Sequence, residues 1–290
     1  MRLRRRARAL QPWLFVAPFL LAFAGLFLGP AGYAFWLSFT RYRGFGVARW
    51  VGLDNYRFVL GYDAFWEMLG NTLFYWVAHA VPMMALALLL AVLVQRQAIG
   101  WTRSFKTLVF LPQMLASVAT ALLFQNIFGT HYGLVDRVLG FDTPWLTDPA
   151  LSRWTVVFVL IWRGTGYWFI VFLAGLTTIP PEVDEAAAID GATGWQRLVR
   201  ITLPLLRPTM LFAVLVDAIV TLRLFNEPNV LLGKAGTLAP ASAAPLLNLV
   251  VEQMHSGQFG AAAATGWLLF VLIAALTFAM FRVMRERAAA

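Results

Sequence analysis

Cysteine is absent from this 290-residue sequence, and charged residues are scarce. Without cysteine, the chain has no disulfide, no thiolate metal site and no cysteine nucleophile. Charged residues make up 13% of the sequence and hydrophobic residues 60%, whereas soluble domains contain roughly 25% charged and about 45–50% apolar residues. This composition excludes an ordinary soluble enzyme. Apolar blocks long enough to cross a bilayer recur along the whole sequence, which indicates an integral membrane protein.

Six apolar blocks have the length that a membrane-spanning helix requires. A span needs about 20 mostly apolar residues, because backbone polar groups cannot be left unpaired in lipid. The sequence therefore predicts an all-α integral membrane protein with one six-span domain, 13–281, between a basic N-terminal segment, 1–12, and a short C-terminal segment, 282–290. The predicted spans are Trp13–Trp36, Glu67–Val94, Thr107–Phe128, Trp154–Leu176, Pro208–Glu227 and Ala261–Phe281.

The distribution of basic residues predicts the orientation of the chain. Segments 1–12, 95–106, 177–207 and 282–290 share one side and carry 14 Lys or Arg in 64 residues, against 7 in 88 residues for the loops on the other side. Because positive charge accumulates on the cytoplasmic side, both termini are predicted to be cytoplasmic. Topology accounts for the net charge of +9, so lipid is the expected environment and no nucleic-acid partner is expected.

The cytoplasmic segment 177–207 has the pattern of two short helices joined by a turn. Thr178 is a candidate N-cap for an acidic, alanine-rich first helix. The glycine-containing run 190–194 breaks that helix, and a second helix is predicted over Trp195–Thr202, ending before Pro204. The shape suggests a compact knob that fills the groove of a cytoplasmic partner. An amphipathic hairpin lying on the membrane surface is the alternative that these residues leave open.

Several short motifs resemble the permease subunits of binding-protein-dependent ABC importers. The resemblance centres on the EAA motif of that family, which is represented here by Glu185, Ala186, Ala187, Asp190, Gly191, Ile201, Leu203 and Pro204. It extends over 12–285 and is strongest with the maltose-type and glycerol-phosphate-type permeases of the carbohydrate-uptake branch, through motifs such as Val51–Tyr56 and Leu203–Pro208. One segment departs from the branch, because 232–237 reads Leu-Gly-Lys-Ala-Gly-Thr where a Gly-Gly-Pro segment is usual.

The resemblance implies a type I ABC importer permease fold in a bacterial inner membrane. It also implies that the chain pairs with a second permease subunit, a homodimeric cytoplasmic ATPase and an extracytoplasmic sugar-binding protein. In that family the motif glutamate, here Glu185, faces an arginine of the ATPase, and the glycine, here Gly191, makes the turn. The sequence contains no Gly-x-x-x-x-Gly-Lys-[Ser/Thr] phosphate-binding loop, so no cofactor is expected in this chain, and ATP and Mg²⁺ are expected on the ATPase.

Charged residues inside the predicted spans are candidates for a substrate pathway, because charges in a membrane are costly. Asp217 and Arg163 lie near the middle of consecutive spans, at a similar depth where the two could pair, and the sequence leaves open whether they do. Arg223 and Glu227 are four residues apart and are predicted to share one helix face. These pairs either staple helices together or line a polar cavity that binds sugar hydroxyls. The candidate pathway residues are Asp217, Arg163, Trp162, Arg223, Asn226 and Glu227, while the three histidines show no metal-ligand spacing.

Three functions are compatible with a six-span chain of this kind. The leading hypothesis is the pore-forming subunit of an ATP-driven sugar importer, and glycerol phosphate is an alternative substrate within that family. A self-contained secondary transporter is a second hypothesis, although no inverted repeat is detectable. A membrane-embedded enzyme using Asp217 and Arg163 is a third, but the chain has no paired-carboxylate, His-Glu-x-x-His or nucleophile-elbow pattern.

Overall fold

A computed structural model describes residues 15–96, 102–130, 133–140, 142–233 and 237–288. The basic segment 1–12 therefore lies outside the described residues, and so do 234–236 of the loop that departs from the carbohydrate-uptake branch. The described chain is almost entirely helical. Its elements are α1 (Phe15–Ser38), β1 (Thr40–Arg41), β2 (Arg49–Trp50), α2 (Asp54–Leu60), α3 (Asp63–Gln95), α4 (Thr102–Met114), α5 (Ser117–Ile127), α6 (Leu134–Leu139), α7 (Pro149–Thr177), α8 (Pro181–Ile189), α9 (Gly194–Thr221), α10 (Asn226–Leu232), a 3₁₀ turn (Ala241–Ala243), α11 (Leu246–His255) and α12 (Phe259–Ala288).

The number of candidate membrane spans agrees with the sequence-based prediction. Within the described ranges, α1, α3, α7, α9 and α12 are each long and apolar enough to cross a bilayer, and the bent pair α4 and α5 makes a sixth candidate. The all-α membrane fold is therefore confirmed. The predicted bounds are close for four of the spans, and the third and fifth spans differ from the prediction.

The third span is broken, whereas the sequence predicted one continuous helix over Thr107–Phe128. Helices α4 and α5 meet at an angle of 96°. The backbone of Ala116 is extended, with φ −60° and ψ 142°, and it separates the two helices. Pro112 precedes the break and removes one backbone N–H from the hydrogen-bonding ladder. Hydropathy could not reveal this break, because the sequence on both sides of it is mostly apolar.

The fifth span begins earlier and ends earlier than predicted. The second helix of the 177–207 segment does not stop before Pro204 but continues as α9 from Gly194 to Thr221. A π-helical turn, Leu198–Thr202, directly precedes this proline, and the Leu203 N–H donates to the carbonyl of Leu198. This wider turn interrupts the regular i→i−4 ladder where the proline could not donate, so the helix continues through Pro204.

The chain divides into two compact units, and the first contains the described part of 1–62 together with 249–268. In this unit β1 and β2 form a two-stranded antiparallel ladder in which Thr40 pairs with Trp50. The amide of Asn55 on α2 donates to the carbonyls of Ser38 and Thr40, both at 2.8 Å. This single side chain therefore holds the end of α1, the strand β1 and the helix α2 together.

The second unit contains 63–248 and 269–290 and has a core of closely packed helices. Helix α7 packs against α3, α4 and α9. A Cβ atom at Gly166 of α7 would collide with the carbonyl oxygen of Val109 on α4, so glycine allows the two backbones to touch. The main core cluster consists of Met83, Ala87, Ala91, Val92, Val94, Trp168, Phe169, Phe172, Leu176, Leu206 and Ala213.

Candidate functional site

A polar cavity of about 410 Å³ lies within the second unit. Helices α3, α7, α9 and α10 and the junction of α4 and α5 contribute to its wall, so the breaks after Met114 and after Thr221 both open onto it. The residues that carry its polar groups are His79, Gln113, Ser117, Arg163, Tyr167, Trp168, Asp217, Thr221, Arg223, Asn226 and Glu227. A cavity with few, specifically placed polar groups among apolar ones is typical of a small-molecule site.

An ion pair between Arg163 on α7 and Glu227 on α10 forms part of the wall of this cavity. Nη1 of Arg163 donates to Oε1 of Glu227 at 2.7 Å, and the glutamate is buried while about a quarter of the arginine side chain is exposed. Arg163 therefore does not pair with Asp217, the possibility that the sequence left open. The chain leaves the helical conformation after Thr221, and α10 carries Glu227 back to the middle of α7.

Asp217 pairs instead with His79, a residue that the sequence analysis did not select. Nε2 of His79 lies 3.2 Å from Oδ1 of Asp217, and Nδ1 lies 2.7 Å from the carbonyl oxygen of Tyr75. A carbonyl oxygen only accepts, so Nδ1 carries a proton. Because two lone pairs would repel, one further proton lies between Nε2 and the carboxylate. The pair is therefore neutral as a unit, either as imidazolium with carboxylate or as imidazole with carboxylic acid.

Two buried polar atoms of the cavity residues have no hydrogen-bond partner among the described residues. They are Oδ2 of Asp217 and Nε of Arg163. Buried polar groups without a partner are uncommon in native proteins and need an explanation. Oδ2 of Asp217 accepts a hydrogen bond, or donates one if it carries the acid proton, and Nε of Arg163 donates one. A bound molecule with adjacent hydroxyl groups can satisfy both types, because each hydroxyl donates and accepts.

The other candidate residues of the spans have different positions from those predicted. Arg223 and Glu227 do not share a helix face, because α9 ends at Thr221, before Arg223, and α10 begins at Asn226. Nε of Arg223 donates to the carbonyl of Ile219 at 3.2 Å. The amide of Asn226 donates to Ser117 at 3.1 Å and so joins α10 to α5.

Trp162 lies outside the lining of the cavity. Its ring packs edge-on against Phe124, with 5.0 Å between the ring centroids, in the second apolar cluster of the unit. This correction follows from helix geometry, since Trp162 and Arg163 are adjacent on α7 and point about 100° apart.

The turn of the 177–207 segment is a Schellman motif. The N–H of Ala192 donates to the carbonyl of Ala187, and the N–H of Gly191 donates to the carbonyl of Ala188. Gly191 has φ +78°, a left-handed conformation that glycine adopts without strain,. Thr178 does not cap α8 as predicted. It ends α7, with its hydroxyl donating to the carbonyl of Gly175, because Pro180 and Pro181 separate it from the new helix.

Ionic and capping contacts hold the two arms of this helix-turn-helix together. Nη1 of Arg197 on α9 donates to Oδ2 of Asp184 on α8 at 2.7 Å. Thr193 and Gln196 form a reciprocal capping box at the start of α9,. Arg96, at the end of α3, donates to the carbonyl of Gly194 at 3.0 Å. The segment is therefore a built structure rather than an irregular linker.

The EAA-type residues divide into exposed and packed groups. Glu185, Ala186, Asp190 and Gly191 are exposed, whereas Ala187 is buried. Leu203 and Pro204 line a shallow groove on one side of α9, and Ile201 is half-buried. The sequence analysis missed two large apolar side chains on the same segment, Ile189 and Trp195, which are 87% and 72% exposed. Exposed isoleucine and tryptophan beside a turn indicate a surface that another molecule covers.

Comparison with known proteins gives the family. The model of the family described as "Binding-protein-dependent transport system inner membrane component" matches residues 72–289. The chain belongs to this family. The permease is 32% identical over 284 residues to the lactose transport system permease protein LacF of Rhizobium radiobacter, covering 95% of this chain and 94% of the relative.

A second relative and a solved structure extend the comparison. The permease is 31% identical to the sn-glycerol-3-phosphate transport system permease protein UgpA of Agrobacterium fabrum, over 95% of each chain. Its fold matches a chain of a bacterial ABC transporter involved in the import of the acidic polysaccharide alginate, with a TM-score of 0.85, 23% identity and 99% coverage of both chains. The permease therefore has the type I importer fold, is a multi-pass inner membrane component, and leaves ATP hydrolysis to a separate subunit.

Proposed function

We propose that this permease moves a sugar or oligosaccharide from an extracytoplasmic binding protein into the cytoplasm. The cavity beside Arg163 and Asp217 is the part of the translocation pathway that this subunit supplies. Relatives whose names specify lactose and glycerol 3-phosphate transport support uptake of a polyhydroxylated compound.

The observation that carries this proposal is the pair of unpartnered polar atoms in the cavity. Glu227 engages Arg163 at 2.7 Å, and His79 engages Asp217 at 3.2 Å, so the unsatisfied atoms are one on each pair. Arg223 lines the same cavity with its Nε bonded to the carbonyl of Ile219, so the cavity also offers a cation to an acidic group on the sugar,. Sugar hydroxyls need both donors and acceptors, which the unpartnered Nε of Arg163 and Oδ2 of Asp217 provide,.

The 177–207 segment is proposed as the contact with the ATPase. Exposed Ile189 and Trp195 flank the Gly191 turn, and exposed Glu185 is available to an arginine of the partner. The ion pair between Asp184 and Arg197 keeps the two arms rigid. Rigidity is required if movement of the ATPase is to reach the membrane rather than be absorbed in a loop.

The assembly that follows from this proposal has several subunits. One copy of the permease pairs with a second permease subunit to form a heterodimeric pore, and a homodimeric ATPase binds ATP and Mg²⁺ on the cytoplasmic side. Both termini of the permease lie on that side, in keeping with the basic residues of the loops,. We therefore propose that the basic N-terminal segment and the C-terminal segment are cytoplasmic.

The proposal is tested by Asp217→Ala in the complete transporter, with Asp148→Ala as a control at the N-cap of α7. We expect Asp217→Ala to reduce sugar uptake at least about tenfold, the change for one lost hydrogen bond to a charged group, while ATPase binding is kept. Normal uptake by this variant contradicts the cavity assignment. Uptake by the permease without an ATPase would instead identify a secondary transporter, and conversion of a substrate would identify an enzyme.

A further inference from the structure

A small cavity of about 200 Å³ lies within the first unit. Three parts of the chain form it: the strand β1 and the residues that follow it, the helix α2, and the start of α12. Its lining consists of Arg41, Tyr42, Arg43, Asp54, Asn55, Phe58, Gln258, Gly260 and Ala261. Neither the family resemblance nor the substrate pathway assigns a role to this cavity.

The backbone around the cavity is held firmly. Asn55 donates to the carbonyls of Ser38 and Thr40, and the N–H of Phe259 donates to the carbonyl of Tyr42 at 3.1 Å. A Cβ atom at Gly260 would collide with the carbonyl oxygen of Thr40, so only glycine permits this approach of α12. The backbone that carries Arg41 and Arg43 is therefore held in one position.

The hairpin 40–50 carries three arginines and no acidic residue. Its register places Arg41 directly opposite Arg49 across the two-stranded ladder. Like charges in directly opposed positions destabilise a strand pair. Arg43 follows within the same hairpin and also lines the cavity. Such an arrangement is stabilised when an anion lies among the guanidinium groups, since arginine matches the planar oxygens of phosphate.

The position of the hairpin in the chain places it at the depth of lipid headgroups. It begins two residues after the end of α1, Phe15–Ser38, and it contacts the start of α12 at Phe259, and both helices are candidate spans. Between Arg43 and Arg49, Phe45 and Val47 are 84% and 88% exposed. An exposed apolar tip flanked by arginines is the pattern of a segment lying at a membrane interface.

We propose that this hairpin and its cavity bind the phosphodiester headgroup of an anionic phospholipid in the adjacent leaflet. Arg41 and Arg43, which line the cavity, contact the phosphate oxygens, with Arg49 beside Arg41 in the ladder, and Phe45 and Val47 enter the boundary of the acyl chains. Asp54 of the same lining is engaged by Arg57 at 3.7 Å. A loop of the extracytoplasmic binding protein would also bring negative charge, but it would leave the apolar tip without a hydrophobic environment. The combination of arginines and exposed apolar residues favours the lipid.

The test measures phosphatidylglycerol retained by the purified transporter in native mass spectrometry. The triple variant Arg41→Gln/Arg43→Gln/Arg49→Gln is compared with wild type and with Arg137→Gln, a change of an exposed arginine on α6. We expect the triple variant to bind phosphatidylglycerol at least about tenfold more weakly than wild type, because each basic residue attracts anionic lipid. The Arg137→Gln control should bind phosphatidylglycerol as tightly as wild type does. None of the three proteins should prefer phosphatidylcholine.

A second measurement separates lipid binding from loss of folding. In nanodiscs of phosphatidylcholine alone, Arg49→Gln should melt at or above the wild-type temperature, because it removes the repulsion of Arg41. Added phosphatidylglycerol should stabilise wild type more than this variant. Equal phosphatidylglycerol retention by the triple variant overturns the proposal. Unchanged lipid retention with weakened docking of the binding protein would also overturn it and assign the hairpin to that partner.

Discussion

Nη1 of Arg163 and Oε1 of Glu227 lie 2.7 Å apart, and this ion pair fixes the short helix α10 against the middle of α7. The two residues are 64 positions apart in the chain. Because Glu227 is buried, removal of its partner would leave a carboxylate in a low-dielectric environment. The pair therefore has consequences for stability as well as for the chemistry of the cavity.

Arg163→Ala is expected to destabilise the permease by about 3 kcal/mol, since breaking a buried pair leaves one charge without compensation. Replacing both residues, as Arg163→Met/Glu227→Met, should restore most of the stability because no buried charge then remains. Thermal unfolding of the assembled transporter measures both effects. Sugar uptake should stay low in the double variant, whose cavity has lost two polar groups. A single variant as stable as wild type would contradict this account.

Gly166→Ala should destabilise the contact of α7 with α4 by about 1–3 kcal/mol, the usual cost of overpacking. The new methyl group would meet the backbone of Val109, which cannot rotate away as a side chain can. Gly70→Ala on α3 is the matched control, because its Cβ atom meets nothing within 4 Å. The control should be neutral or stabilising by up to about 1 kcal/mol. Equal melting temperatures for the two variants would show that the close approach is not rigid.

The sequence predicts those features that depend on local pattern. Span number follows from apolar length, and the turn at Gly191 follows from the glycine itself, whose φ of +78° few other residues adopt. The close contact at Gly166 was also predictable, because a glycine within a span marks a backbone approach. These are properties of single residues or short windows.

The sequence does not predict which charged groups meet. Arg163 has Asp217 at a similar depth on the next span, and nothing local indicates that the chain breaks after Thr221 and returns with Glu227. His79 is polar but unremarkable within α3, and only packing brings it within 3.2 Å of Asp217. The break between α4 and α5 was hidden for a related reason, since apolar residues continue on both sides of Ala116.

Changes in the turn of the 177–207 segment should uncouple the ATPase without unfolding the permease. Gly191→Val imposes a positive φ on a β-branched residue, which costs on the order of 1–2 kcal/mol, whereas Gly191→Asn is tolerated better. Space is not the constraint, because a Cβ atom at this position meets nothing within 4 Å. We expect lower sugar-stimulated ATP hydrolysis for the valine variant than for the asparagine variant. Equal and normal rates would remove the turn from the coupling mechanism.

Glu185→Lys tests the proposed contact with an ATPase arginine. The exposed carboxylate should become desolvated in the complex, so its replacement by a cation leaves the partner's charge unpaired and costs roughly 2–5 kcal/mol of binding. Co-purification of the ATPase measures the loss. Glu67→Lys is the control, since Glu67 is also exposed but lies at the opposite end of a span, on α3. ATPase recovery at the wild-type level for both variants would exclude this contact.

The absence of cysteine allows a direct test of orientation. Tyr62→Cys and Trp195→Cys each introduce the only thiol of the chain at an exposed position. In intact cells or right-side-out vesicles, a membrane-impermeant maleimide should label the cysteine at 62 and not the cysteine at 195. Permeabilisation should make both reactive. Labelling of both in intact vesicles, or the reverse order, would be incompatible with cytoplasmic termini.

One unbroken helix carries both Trp195, beside the Gly191 turn, and Asp217, in the wall of the cavity. Twenty-two residues separate them, or about 33 Å along the axis at 1.5 Å per residue,. The π turn at Leu198–Thr202 interrupts the regular ladder close to the cytoplasmic end. If that turn became α-helical, the extra residue of the π turn would join the regular helix. The part of α9 before the turn would then rotate by about 100° relative to the part after it. A rotation of the Trp195 end of α9 would therefore reach Asp217 only as far as this π turn keeps one conformation.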